Sequence, residues 1–279
     1  MAQNGLTPIS SQRHGQRYWR RFSSYDFARN LTDCPLVEAE ILQGAAAFPI
    51  VFKAADAGVE PVAILSMTYR ASTPFVSADG AWLATYVPSV LRCSPFHASR
   101  LEPRNATGYQ FQLWIDETLG LVTDDPTDEA FFDEHGALTP ELQKVSAFFQ
   151  ARIAAAEETA KVCNIIAEMN LFAPIADHHG IEFPDAALGV STEAIKGLSQ
   201  AQKTVLTNCG ALRLIHAHQV SLSHSAWLMQ AQLQADQAER QSGFNRTPGV
   251  SGFLGAMATA QQSEQKFGFA EGENLYASV

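Results

Sequence analysis

The chain has 279 residues, 46% hydrophobic and 17% charged, with a formal net charge of −10. A chain of this size and composition suits one large globular domain, or a core domain with a helical companion, that buries its core without disulfides or a structural metal. The acidic balance weighs against nucleic-acid binding, which depends on neutralised phosphates, and no apolar run reaches the roughly 18–20 residues of a membrane span.

Residues 1–33 read as an N-terminal arm. Its opening, "MAQNGLTPISSQRHGQRYWRRFSSYDF", lacks the apolar stretch of an export signal. Arg13, Arg17, Arg20 and Arg21 surround Tyr18 and Trp19, a cluster that either touches phosphates or docks its aromatics on the domain. Cys34, Cys93, Cys163 and Cys209 are widely spaced, with no Cys-x-x-Cys pair. They read as reduced thiols, and the expected location is cytoplasmic.

From residue 34 to 241 the pattern is that of a folded α+β domain. "PIVFKAAD" and "PVAILSMTY" are β-rich runs separated by the turn composition "DAGVE", which predicts a hairpin. Asp79-Gly80 is a tight-turn signal. "WLATYVPSVLRCSPF" is expected to be helical near Pro88. In "YQFQLWIDE", Phe111, Leu113 and Ile115 alternate with polar positions and predict a strand with one buried face. The acidic "TDDPTDEAFFDEHG" has the composition of a surface loop.

Thr139, Pro140 and Glu141 form a helix-start signal. The repeat Leu142, Val145, Phe149, Ile153, Ala156, Ala160, Cys163 and Ile166 then predicts a long amphipathic helix over 140–170. "SQAQKTVLTNCG" predicts a helix ending near Gly210. "ALRLIHAHQV" is expected as a strand over 211–219, and "SHSAWLMQAQLQADQAERQ" as a helix capped by Ser221 or Ser223. Residues 242–279 are Gly/Ser/Gln-rich and are expected as an extended tail that wraps the domain or a neighbouring subunit. The fold class expected is therefore α+β: a mostly antiparallel sheet from about 45–120 and 211–219, covered by helices near 140–170, 195–208 and 223–241.

Several of these segments together resemble the SapC family of bacterial proteins: "VEAEILQGAAAFPIVF", "PVAILSM", "ADGAWLATYVPSVLRCSPF", "LWIDE", "FFDEHGALTPELQKVSAFF" and "LRLIHAHQVSLSHSAWL". The likeness covers about residues 20–235. It implies a setting of bacterial surface layers, surface uptake or protein modification. It also implies partners such as a flavin-dependent halogenase-like protein or a surface receptor. It carries over no catalytic residues and no cofactor.

The candidate sites are of two kinds. Trp82 and Tyr86, beside the turn and Pro88, either line a groove for a peptide or aromatic ligand or belong to the core; Arg92 is then a contact for an anion. His218 joins them as a ligand-binding candidate. Alternatively, His216 and His218 on one face of a strand, with His224 folding back, form a transition-metal site. Asp116-Glu117 is a candidate carboxylate pair for acid/base work, and "DHHG" at 177–180 reads as a surface loop. No Gly-x-Ser-x-Gly, P-loop or Gly-x-Gly-x-x-Gly is present. These features point to a binding or accessory protein without catalytic residues, acting through protein or peptide contacts. A metal-dependent oxygenase or hydrolase built on the histidines is the alternative, and the tail leaves a homodimer open.

Overall fold

The computed structural model describes residues 5–56, 58–68, 71–101, 110–175, 177–184 and 186–242. The tail expected at 242–279 lies outside them, apart from Ser242, the last residue of a helix. In chain order the strands are β1 (Leu6–Pro8), β2 (Tyr18–Trp19), β3 (Asp33–Pro35), β4 (Ile50–Ala55), β5 (Gly58–Ile64), β6 (Phe96–Leu101) and β7 (Gln110–Asp116). They continue as β8 (Val122–Thr123), β9 (Glu129–Ala130), β10 (Phe172–Pro174), β11 (Asp177–His178), β12 (Ile181–Glu182) and β13 (Leu188–Val190). The helices are α1 (Ser11–His14), α2 (Ile41–Ala45), α3 (Pro140–Glu168), α4 (Thr192–Lys196), α5 (Gln200–Asn208), α6 (Ala211–Ser221) and α7 (His224–Ser242).

The class is α+β, as expected, and the described strands pair antiparallel in four separate sheets rather than one. The largest has the order β10-β13-β4-β5-β3, with the β4–β5 hairpin at its centre. A second, β1-β7-β6, joins residues 6–8 to 114–116. A third places β2 between β8 and β9. The stretch expected as an arm thus contributes strands to two sheets. It also buries Trp19, whose ring meets Phe96 edge-on at 4.8 Å.

Two apolar clusters form the core. One is built on Ile50, Phe52, Ile64, Leu214 and Ile215 around the largest sheet. The other gathers Trp19, Phe96, Ile115, Phe131 and Leu142 around the two smaller ones. α3 belongs to both: Leu142 and Phe149 pack into the second, Cys163 and Ile166 into the first. Its 29 residues run about 43 Å at 1.5 Å per residue. Pro140 stands in its first turn with Glu141 at the positive end of the helix dipole. The Thr139 hydroxyl does not cap the helix; it donates to the Ala130 carbonyl at 2.8 Å.

Two local expectations are corrected. Residues 211–221 form helix α6, not a strand. Leu212, Leu214, His216 and His218 mimic a period of two. The burial follows three and four instead: Ala211, Leu214, Ile215, His218 and Ser221 are buried, while Arg213 and His216 are exposed. The region around Pro88 is not an α-helix but an irregular segment ending in a 3-10 turn at Leu91–Cys93. Side chains take the backbone groups that a helix would need. The Trp82 indole N–H donates to the Tyr86 carbonyl at 2.8 Å, and the Ser89 N–H donates to the Glu40 carboxylate at 2.8 Å. The tight turn at Asp79-Gly80 is present, with Gly80 at φ +81°, and a Cβ there would strike the Ser24 hydroxyl.

Candidate functional site

The seam between the two apolar clusters, where α3 crosses from one to the other, is open as a groove. One part, about 510 Å³, is lined by Trp19, Phe22, Phe96, Val145 and Phe149, with Arg21, Arg92, Lys144 and Glu141 at its rim. The adjoining part, about 380 Å³, is lined by Glu40, Tyr86, Ser89, Arg92 and Arg152. Arg92 and Phe148 belong to both parts and mark the division between them. The Arg92 guanidinium lies 5.8 Å from the Tyr86 ring centre and 5.9 Å from that of Phe148, within cation–π range.

The wall of the groove is set by a buried carboxylate. Glu40 is 6% exposed. Its Oε1 accepts from the Val37 N–H (3.1 Å) and the Ser89 hydroxyl (2.8 Å); its Oε2 accepts from the Tyr86 hydroxyl (2.6 Å) and the Ser89 N–H (2.8 Å). Arg152 continues the chain, donating through Nε to the Ser89 hydroxyl at 3.0 Å and through its terminal nitrogen to the Pro35 carbonyl at 3.3 Å. A buried charge is tolerated when its lone pairs are filled in this way. Burial, and then the bond to Glu40, raise the Tyr86 phenol, so it stays protonated and donates. Cys93, at the floor, has its thiol pushed up to about 11 by burial and is therefore a thiol, not a thiolate, at neutral pH. Among the described residues the buried indole N–H of Trp19 has no acceptor.

The SapC family model matches residues 9–228 of the chain. The chain belongs to the SapC family. No curated protein and no solved structure matches it. The match takes in both parts of the groove, beginning ahead of the stretch of about 20–235 that carries the sequence resemblance and ending just short of its close.

Of the SapC chain's sequence-derived candidates, the structure brings Tyr86 and Arg92 together in the groove. Trp82 is set apart: half-buried, it packs against Phe75, Phe48 and Tyr25 at 6.0, 6.2 and 5.4 Å. His218 is elsewhere again, holding α6 to the largest sheet. Its Nε2 accepts from the Val190 N–H at 3.2 Å, which fixes the proton on Nδ1, and Nδ1–H donates to the Ile50 carbonyl at 2.7 Å. Gly189 permits this approach, since a Cβ there would sit 3.3 Å from Nε2.

The metal alternative for this SapC protein is corrected by the same geometry. On a helix, His216 and His218 point to different faces. His216 is exposed, His218 spends both ring nitrogens on backbone, and His224 bonds the Ala45 carbonyl at 3.1 Å. Among the described residues no three His, Cys, Asp or Glu side chains gather where an ion would need them. The carboxylates of Asp116 and Glu117 also part company. Asp116 accepts from the Thr118 N–H and hydroxyl, whereas Glu117 is gripped by Arg13 at 2.7 Å and His14 at 3.2 Å and is lowered to about 2, chiefly by Arg13.

Sequence reasoning missed Glu40, Phe148 and Arg152. A signal for two of them was present: Lys144, Phe148 and Arg152 recur at four along the flank of the apolar stripe of α3. A large aromatic at 38% exposure there is a mark of a contact surface. Glu40 gave no signal, because its partners Tyr86 and Ser89 lie more than forty residues away in sequence.

Proposed function

We propose that the protein is a binding or accessory component of a bacterial surface-uptake or protein-modification system, without a catalytic role of its own, and that it engages a protein or peptide partner through the groove along α3. The observation that carries this reading is the pairing of an apolar, ring-lined trough with the cations of Arg92 and Arg152 in a chain of net charge −10. Apolar anchors beside arginine are the usual make-up of energetic contact sites. The reactive groups at the groove support binding over turnover: Glu40 has four donors on it, Tyr86 holds its proton, and the Cys93 thiol is not ionised. Free cysteines suit a reducing compartment, and we place the protein in the cytoplasm. No helix among the described residues is long and apolar enough to cross a membrane.

The SapC setting makes a flavin-dependent halogenase-like protein the first partner to try, with a surface receptor second. The test is titration of that purified partner against the full chain and against an Arg92→Glu/Phe148→Asp variant, both side chains being exposed. The expected result is binding at least about ten-fold weaker in the variant, with an unchanged thermal midpoint. Equal binding by the two chains moves the contact away from the groove and overturns the reading.

A further inference from the structure

The two parts of the groove differ in chemistry, and they differ along one line. Lys144, Phe148 and Arg152 stand at successive helical fours on α3, a stripe that advances about 6 Å per step. From Glu141 to Arg152 the trough follows α3 for about 16 Å. Its first part is ring-lined, by Phe22, Phe96 and Phe149, and its second carries Arg92 and Arg152 beside the buried Glu40 carboxylate, whose oxygens are already filled by four donors. Lys144 and Arg21 share the Glu141 carboxylate. Among the described residues the hydrogen bonds of Arg92 and Arg152 go to neutral groups: the Tyr86 and Ser89 hydroxyls and the Pro35 carbonyl. Arg152 also feels the Glu60 carboxylate and, through Ser89, that of Glu40. With no carboxylate bonded directly to either guanidinium among the described residues, both remain complementary to carboxylates supplied from outside the described fold.

A segment of this chain outside the described residues has the matching pattern. In "KFGFAEGEN", residues 266–274, Phe267, Phe269, Glu271 and Glu273 fall at alternate positions, separated by Gly268, Ala270 and Gly272. In an extended conformation alternate residues share one face at about 6.6 Å per pair. Two rings followed by two carboxylates would then line one face, with almost no side chain on the other. The repeat is close to the step of the α3 stripe, and the order of chemistry is that of the groove.

We propose that residues 267–273 of this chain occupy the groove of its own fold. Phe267 and Phe269 lie among Phe22, Phe96 and Phe149; Glu271 and Glu273 face Arg92 and Arg152. The proposal rests on the reading of the groove as a peptide site. Reach is ample: the twenty-odd residues after Ser242 span up to about 80 Å extended, against a radius of gyration of about 19 Å for a chain of this length. A tether of that kind holds its segment at an effective concentration on the order of millimolar. The segment is then a built-in competitor that a partner must displace.

The experiment uses the full chain and a fluorescently labelled synthetic peptide of residues 264–276. Its affinity is measured for the native chain, for Glu271→Lys/Glu273→Lys, and for that variant with Arg92→Glu or Phe148→Asp added, each checked by its thermal midpoint. The expected result is binding to the double variant at least about ten-fold tighter than to the native chain, because the native segment competes at its effective concentration. Adding either groove substitution removes that binding. Equal affinity for the native chain and the double variant, still lost with Arg92→Glu, overturns the proposal but leaves the groove as a peptide site. Absence of binding to any chain overturns the named occupant alone. Binding indifferent to both groove substitutions overturns the occupant and the groove reading together. Sedimentation of the native chain as a dimer that dissociates in the double variant overturns the intrachain arrangement, since the segment would then sit in a second copy.

Discussion

Replacing Glu40 by Ala removes the acceptor from four donors at once. The Tyr86 hydroxyl, at the groove edge, can turn to water, but the N–H groups of Val37 and Ser89 and the Ser89 hydroxyl are buried. Hydrogen bonds to a charged group contribute about 1.5–3 kcal/mol each, and a buried donor left unpaired costs about 1–3 kcal/mol. Water entering from the open groove offsets part of this, so the net loss expected is about 3–5 kcal/mol. At about 2–4 °C per kcal/mol for a large domain, the midpoint falls by on the order of 10 °C. Glu40→Gln keeps one acceptor oxygen but turns its amide donors on two others, with an expected loss of about 2–3 kcal/mol. Tyr86→Phe, which deletes one bond, costs about 1 kcal/mol. Urea unfolding followed by tryptophan fluorescence measures the series. A Glu40→Ala loss below about 1 kcal/mol, or a Gln variant as stable as the parent, would refute the view that this carboxylate organises the groove wall.

Two further perturbations follow from the histidines. His218→Leu strands the Ile50 carbonyl and the Val190 N–H and is expected to cost about 3 kcal/mol, whereas His216→Ala on the exposed face stays within about 0.5 kcal/mol. Equal costs, measured by urea unfolding, would contradict the division of roles. Stability should also fall as the pH drops below about 6.5. Burial lowers both His14 and His218, so the unfolded chain takes up protons there that the native chain refuses. The slope is at most about 1.4 kcal/mol per pH unit for each group, and flat above about pH 7.5. Glu117, lowered to about 2, adds its own loss only below about pH 4.5, where the unfolded carboxylate begins to protonate. Urea midpoints across pH 5–8 check this, and a rise on acidification from pH 7 to 6 would contradict it.

The elements legible in the sequence are those whose pattern is local and whose burial is one-sided. The β4–β5 hairpin, the alternation of Leu113 and Ile115 in β7, and the apolar stripe and proline start of α3 all stand as read. α6 was misread because four residues placed at intervals of two outweighed the exposed Arg213 and His216, whose spacing of three is helical. The segment from Trp82 to Cys93 was misread for another reason: the Glu40 carboxylate and the Trp82 indole claim its backbone groups, and no local pattern reports a partner that distant. The site divides along the same line. Tyr86 and Arg92 are candidates from a turn, a proline and a cation close together in sequence, whereas the residues opposite them on α3 become visible only with the helix laid across both clusters.

The pairing of β1 with β7 sets a timetable for synthesis. Leu6 meets Asp116 and Trp19 meets Val122 and Glu129, so the first strands wait for about a hundred further residues before a partner exists. At about 5–20 residues per second on the ribosome, that wait lasts roughly 5–20 s. Leu142 and Phe149, which complete the same cluster, emerge later still. For that interval Ile9 and Trp19, buried in the finished protein, travel without cover among the arginines at 13, 17, 20 and 21. Arg13, Arg17 and Arg21 afterwards pair with Glu117, Asp124 and Glu141, and Arg20 donates to the Gly120 carbonyl. Like charges flanking an uncovered apolar stretch discourage it from joining a second nascent chain, so the same arginines serve first as a guard and later as the clasps that hold the amino-terminal strands in place.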